Sequence, residues 1–221
     1  MHTATLYYAH DPMCSWCWGF RPVWQALQAA LADKAPGKVR IHYLLGGLAA
    51  DTDQPMPEEM QINIRDTWRN IQKEIPGTRF NLDFWTQCQP RRSTWPACRA
   101  IIACRMQAPE READMLLGIQ QAYYLQARNP SDLDVLCDIA AQTGLDVAVF
   151  RNNILSDACQ RSLLDEMEFC RSINISSFPS LVLKQGRSYT LVNINYTSSD
   201  YMLTQVLSAL SRADSTADRP S

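Results

Sequence analysis

An α/β domain interrupted once by a block of helices is the fold that this 221-residue sequence predicts. Three observations carry it. Alternating strand-like patterns open the chain at residues 3–9 and return at residues 39–45. From about residue 57 these signals fade and helical periodicity replaces them. Far downstream, "FPSLVLKQGRSYTLVNI" restores strand character before one last helical run.

The elements follow in order. In the first strand Ala4, Leu6 and Tyr8 fall on one side, with Thr3, Thr5 and Tyr7 on the other. From Cys17 the period changes, and Val23, Leu27, Ala30 and Leu31 repeat at helical spacing until "APGK" stops them. The pair Cys14 and Cys17 therefore lies at a strand-to-helix turn. The second strand ends at Gly46 and Gly47, and a right-handed crossover makes the first two strands parallel. Met60, Ile64, Trp68 and Ile71 form one helical stripe, stopped by Pro76 and Gly77. Ser93 is placed to cap a helix that carries Trp95, Cys98 and Ile102, and residues 110–125 read as another. Ser131 opens a further helix that Gly144 ends in a left-handed cap. Ser156, with Gln160 nearby, begins the last helix of the block.

After the block, residues 181–183 and 189–192 flank "KQGR", a hairpin turn in which Gly186 is free to take positive φ. Leu203, Val206, Leu207 and Leu210 lie on one face of the closing helix, and the polar tail beyond it is expected to fray. The expected division is a discontinuous domain from residues 1–50 and 173–213, an inserted helical domain at 51–172, and a flexible tail at 214–221.

Composition narrows the function. Hydrophobic residues make up 46% and charged residues 20%, ordinary for a packed globular protein. A net charge of -2 supplies no basic field, so nucleic acid is not expected as a partner. No uninterrupted apolar stretch is long enough for a bilayer, and no membrane partner is expected. The opening "MHTATLYYAHDPMC" alternates like a strand instead of presenting the basic and apolar regions of an export signal. With 8 cysteines, that favours reduced thiols and a cytoplasmic location.

Residues 10–20 read "HDPMCSWCWGF", and a C-x-x-C pair serves metal sites, staples and redox centres alike. A closed zinc site needs four ligands, and no second C-x-x-C is present. Only His2, His10 and His42 could supplement the cysteines, so no metal is expected. As a staple the pair would close a very short loop and constrain the unfolded chain little. A redox pair predicts the same placement for a positive reason. Cys14 would face the unpaired N–H groups of the first turn, where the helix dipole favours a thiolate, and Cys17 could reach back from one turn further in. The intervening "SW" supplies no cation, leaving His10 as the nearest candidate for a positive neighbour. The other cysteines read first as small hydrophobes; Cys98 and Cys104 are six apart on one helix and face different ways. Trp18, Trp24 and Trp68 read as core, whereas Trp16 lies between the two cysteines, where it could meet substrate.

"CSWC" after a strand, Pro22 five residues beyond Cys17, and the distant "SSFPSLVL" resemble the thioredoxin superfamily, in its DsbA-like branch with an inserted helical domain. "DPMCSWCWGF" is similar to the leaderless DsbA-family proteins related to protein disulfide isomerases. The resemblance implies a thioredoxin fold with an inserted all-helical domain. It implies that Cys14 attacks, Cys17 resolves and Pro179, in cis, faces them. A cis turn would expose the Phe178 backbone for edge pairing with an extended peptide. Ser15, Trp16, Phe178 and Pro179 are the expected substrate-binding residues. Where the family often buries an acid, six residues before the first cysteine, this sequence has Tyr8, and Asp11 lies nearer in the loop.

The implied activity is thiol–disulfide oxidoreduction or isomerisation on protein or small-molecule thiol substrates, with no resident cofactor and glutathione as a candidate co-substrate. Two rivals stand beside it. Kappa-class glutathione transferases and hydroxychromene-carboxylate isomerases resemble the same fold but use a serine where Cys14 stands. A binding module with inert cysteines would use the helical insertion to recruit a partner.

Overall fold

The computed structural model describes residues 4–217. Strand β1 (Ala4–His10) is the second of four in the order β2-β1-β3-β4. It runs parallel to β2 (Val39–Leu45) and antiparallel to β3 (Ser180–Gln185), which pairs antiparallel with β4 (Ser188–Val192). The predicted strand-helix-strand opening, its parallel pair and the distant hairpin are all present, and Gly186 takes φ +56° in the turn.

Strand alternation sorts two faces. Ala4, Leu6, Tyr8, Leu181 and Leu183 pack against helices α1 (Ser15–Lys34) and α9 (Ser199–Ala217), burying Phe20, Trp24, Leu27, Met202 and Val206. On the other face Ala9, Leu44 and Val182 meet Cys170, Ile173 and Ile175. The sheet is thus layered by helices on both sides.

Between β2 and β3 lie α2 (Glu58–Glu74), α3 (Phe84–Gln87), α4 (Trp95–Gln107), α5 (Glu112–Tyr124), α6 (Leu133–Gln142), α7 (Val147–Ile154) and α8 (Asp157–Ser172). They build a core of their own around Trp68, Phe84, Ile101, Ile119, Tyr124 and Phe150. Met13 and Leu45 from the sheet side belong to it as well. Helix α8 serves both bodies, with Cys159 and Leu163 in the helical core and Cys170 against the sheet. No helix among the described residues is long and apolar enough to cross a membrane.

Helix α1 starts at Ser15, with Cys14 as its N-cap residue at the strand-to-helix turn, as expected. Several local expectations need correction. The helix read over residues 110–125 is broken by a 3-10 turn at Pro109–Arg111 and spans Glu112–Tyr124. Ser93 and Ser131 do not cap; Thr94 and Asp132 hold those positions, while the Ser93 hydroxyl accepts from the Thr52 N–H and the Ser131 hydroxyl donates to the Ser93 carbonyl. The short α3 and α7 had no reading from sequence, although the Asp146 carboxylate caps α7 by accepting from Ala148 and Val149. Helix α9 continues to Ala217, into the segment expected as a tail, whose residues 218–221 lie outside the described residues, as does Thr3.

Ser156 does cap α8, its hydroxyl accepting from the Cys159 N–H at 3.1 Å. Ser156→Ala should lower the stability of the whole chain by about 0.5–2 kcal/mol, measured by urea denaturation, because α8 joins both cores.

Candidate active site

The turn between β1 and α1 is set by one buried carboxylate. Asp11 Oδ1 accepts from the Met13 N–H at 2.8 Å, while Oδ2 accepts from the Leu48 N–H at 2.8 Å and the Thr94 hydroxyl at 2.6 Å. The Cys98 thiol also points at Oδ2, at 3.5 Å. Burial pushes the Asp11 carboxyl above its usual range, and these four donors oppose the shift. The Asp11 carbonyl in turn accepts from the Cys14 N–H at 3.0 Å, and the Cys14 carbonyl accepts from the Trp18 N–H at 3.1 Å to close the first turn of α1.

Cys14 therefore caps the helix with extended backbone, φ -79° and ψ 116°. Its sulfur lies 3.3 Å from the carbonyl oxygen of Phe178, the residue joined to Pro179 by a cis peptide bond. Cys17, one turn further, is only 1% exposed against 6% for Cys14, and both thiols are free. Burial first, and then the neighbouring Cys14, push the Cys17 thiol well above its ordinary value, opposed by a hydrogen bond from the Asp11 backbone.

Of the six residues expected at the site, Cys14, Phe178 and Pro179 are brought together across 164 positions of sequence. The Ser15 hydroxyl accepts from the Trp68 indole at 2.8 Å, tying the active-site turn to α2. Trp16 leans against Tyr196 at 5.0 Å between ring centroids and stays partly exposed. Trp24 and Trp68 are core, as expected; Trp18 is only partly buried, stacked on Tyr124 with its indole donating to the Arg79 carbonyl.

His10 corrects another expectation. Its ring is 1% exposed, stacks on Tyr8, and neither nitrogen has a hydrogen-bond partner. Burial, with the Arg105 charge adding, pulls it down to about 3. The imidazole is neutral and supplies no cation to Cys14.

Two features escaped the sequence. Gly46 was readable only as a strand end, yet the Phe178 ring occupies the space of its missing side chain, and a Cβ there would lie 2.1 Å from a ring carbon. Behind the dithiol, a cavity of about 330 Å³ lies between α1 and α5 and reaches Tyr8 and Cys17. Among the described residues no group of three or more His, Cys, Asp or Glu side chains is arranged to hold a metal ion.

With this geometry in place, comparison with known proteins is decisive for the family: a thioredoxin family model matches residues 7–201. The chain belongs to the thioredoxin superfamily. A solved structure from Nitrosomonas europaea, provisionally described as a protein disulfide isomerase, is similar over 96% of this chain and 99% of its own, with 25% identity and a TM-score of 0.82. The cytosolic disulfide reductase DsbM from Pseudomonas aeruginosa shares the fold at 21% identity and a TM-score of 0.72, over 93% of this chain and 98% of its own. The curated ClpXP adapter protein SpxH of Halalkalibacterium halodurans is 24% identical over 176 residues, 78% of this chain. The SpxH of Bacillus subtilis is 24% identical over 177 residues, 80% of the chain. In both cases the match spans 56% of the relative's length.

Two predictions follow from the site's geometry. A histidine held neutral takes up a proton in the unfolded chain below about pH 6.5 but not in the folded one, so its share of stability is present above that pH and lost as pH falls toward its folded value. Between about pH 7 and about pH 5 the wild type should lose about 2 kcal/mol more than His10→Phe in urea denaturation. Gly46→Ala should cost about 1–3 kcal/mol by overpacking against Phe178, and Phe178→Ala in the same chain should recover most of that loss in a double-mutant cycle.

Proposed function

We propose that this protein is a dithiol–disulfide oxidoreductase in which Cys14 makes the mixed disulfide and Cys17 resolves it. The observation that carries the reading is the placement of the Cys14 sulfur at the start of α1, 3.3 Å from the Phe178 carbonyl beside a cis proline, with the second free thiol one turn behind. Orphan N–H groups at a helix start favour a thiolate.

In the reducing direction the Cys14 thiolate attacks one sulfur of a substrate disulfide, and the other leaves as a thiolate. Cys17 then attacks the Cys14 sulfur, the substrate's second thiolate departs, and a Cys14–Cys17 disulfide remains for an external thiol such as glutathione to reduce. The steps run backwards to oxidise a dithiol, and isomerisation uses the first alone. An extended peptide would pair with the Phe178 backbone, flanked by Pro179, Ser15 and Trp16. In a reducing, glutathione-poised setting, reduction or isomerisation is favoured over net oxidation. A thiol in place of serine at position 14 argues against the kappa-class glutathione transferase and hydroxychromene-carboxylate isomerase chemistry.

A second reading, as a binding protein, is favoured by the SpxH relatives, which are ClpXP adapters. It needs no turnover from the cysteines. An insulin-reduction assay separates the two. Wild type should accelerate reduction by dithiothreitol, Cys14→Ser should abolish that acceleration, and Cys17→Ser should accumulate a mixed disulfide. Full activity in both variants would sink the dithiol mechanism, and resistance of native Cys14 to alkylation would favour the adapter.

A further inference from the structure

Two helix faces meet across the cavity between α1 and α5. Cys17, Arg21, Trp24 and Gln28 recur at helical spacing along one side of α1, and Glu112, Leu116 and Gln120 do the same on α5. Tyr8 and Tyr43 of the sheet complete the wall, whereas Cys14 and Phe178 take no part in it. At about 330 Å³ the space falls at the small end of ligand-binding cavities. Its polar groups are sorted by burial. Gln120 is 2% exposed, and its side-chain oxygen has no hydrogen-bond partner. The donors nearby are spent, because the Trp24 indole and the Gln28 amide both donate to the Tyr43 hydroxyl, at 3.1 Å and 3.0 Å. A buried acceptor left this way is costly, and a donor brought by a bound molecule removes that cost. Arg21 is half-buried, and its guanidinium has no carboxylate partner among the described residues. The two carboxylates of the wall leave that charge in place: Glu112 is held by Arg105 at 2.7 Å, and Glu110 stands exposed at the mouth, where water and salt screen it.

We propose that this cavity binds a small aromatic acid. Its ring lies against Trp24 and Leu116, an N–H or O–H on the ring donates to the Gln120 oxygen, and its anionic group pairs with Arg21. Each part answers one observation: the apolar wall calls for a ring, the unpartnered acceptor for a donor, and the unpaired guanidinium for an anion. The site stands apart from the dithiol reading, since no thiol takes part in holding the ligand.

Isothermal calorimetry of the full chain with indole-3-acetate, which carries both a ring N–H and a carboxylate, tests the assignment. Wild type should bind it. Indole-3-acetamide lacks the charge and N-methylindole-3-acetate lacks the donor, and each should bind about tenfold more weakly. Arg21→Gln should weaken indole-3-acetate by about tenfold and end its advantage over the amide. Gln120→Leu should likewise end its advantage over the N-methyl compound. Neither side chain makes a hydrogen bond or ion pair among the described residues, so both variants should keep at least the wild-type midpoint in urea denaturation, which separates a lost contact from a lost fold. Should either fail to fold, Ala113→Trp at the exposed mouth fills the cavity and should block binding of all the compounds. Cys14→Ser should bind indole-3-acetate as wild type does. A wild type that binds none of the compounds, or binds them equally, would overturn the proposal, as would undiminished binding in the folded variants. Loss of binding in Cys14→Ser would put the ligand at the dithiol face and overturn it too, while leaving the dithiol reading untouched.

Discussion

The hydrogen bonds converging on the buried Asp11 carboxylate hold this molecule's two bodies in one register. Its partners come from three separate stretches: the active-site turn through Met13, the segment after β2 through Leu48, and α4 of the helical block through Thr94 and Cys98. A buried carboxylate is costly without such donors, so the three stretches must keep their relative places for the charge to be tolerated. The position of Cys14 follows from this, because the same residue's carbonyl receives the Cys14 N–H.

Around that joint the helical block grips the start of α1. Trp68 of α2 donates to Ser15, Trp18 stacks on Tyr124 of α5, and Met13 is buried in the helical core. A few residues of the active-site turn thus meet both cores. The opposite edge of the contact is electrostatic: Glu166 of α8 accepts from the Leu45 N–H at 2.7 Å and pairs with Arg105, which also pairs with Glu112. Arg105 lies close enough to His10 for its charge to help keep that imidazole neutral. The insertion therefore shapes the electrostatics of β1 as well as covering the site.

The two thiols consequently live in different surroundings. Cys14, 6% exposed, lies at a helix start beside a backbone carbonyl. Cys17 is 1% exposed and lines the cavity that Tyr8 also borders. An asymmetric pair of this kind suits sequential exchange, in which one sulfur captures and the other displaces.

What the sequence determined by itself was whatever is encoded within a few residues: the period-2 strands at both ends, the cysteine pair at a strand-to-helix turn, the Ser156 cap, and the left-handed glycines Gly144 and Gly186. Caps, turns and alternation depend on near neighbours, so they survive without knowledge of the fold. Ser93 and Ser131 misled because their hydroxyls found partners about forty residues away, at Thr52 and Ser93, in place of the adjacent helix N–H groups. The contact of Phe178 with Gly46 and Cys14, the bond from Trp68 to Ser15, the neutrality of His10 and the cavity that Tyr8 and Cys17 line together were decided only by the tertiary structure. Each depends on burial or on chain segments remote in sequence, and neither quantity is written in local pattern.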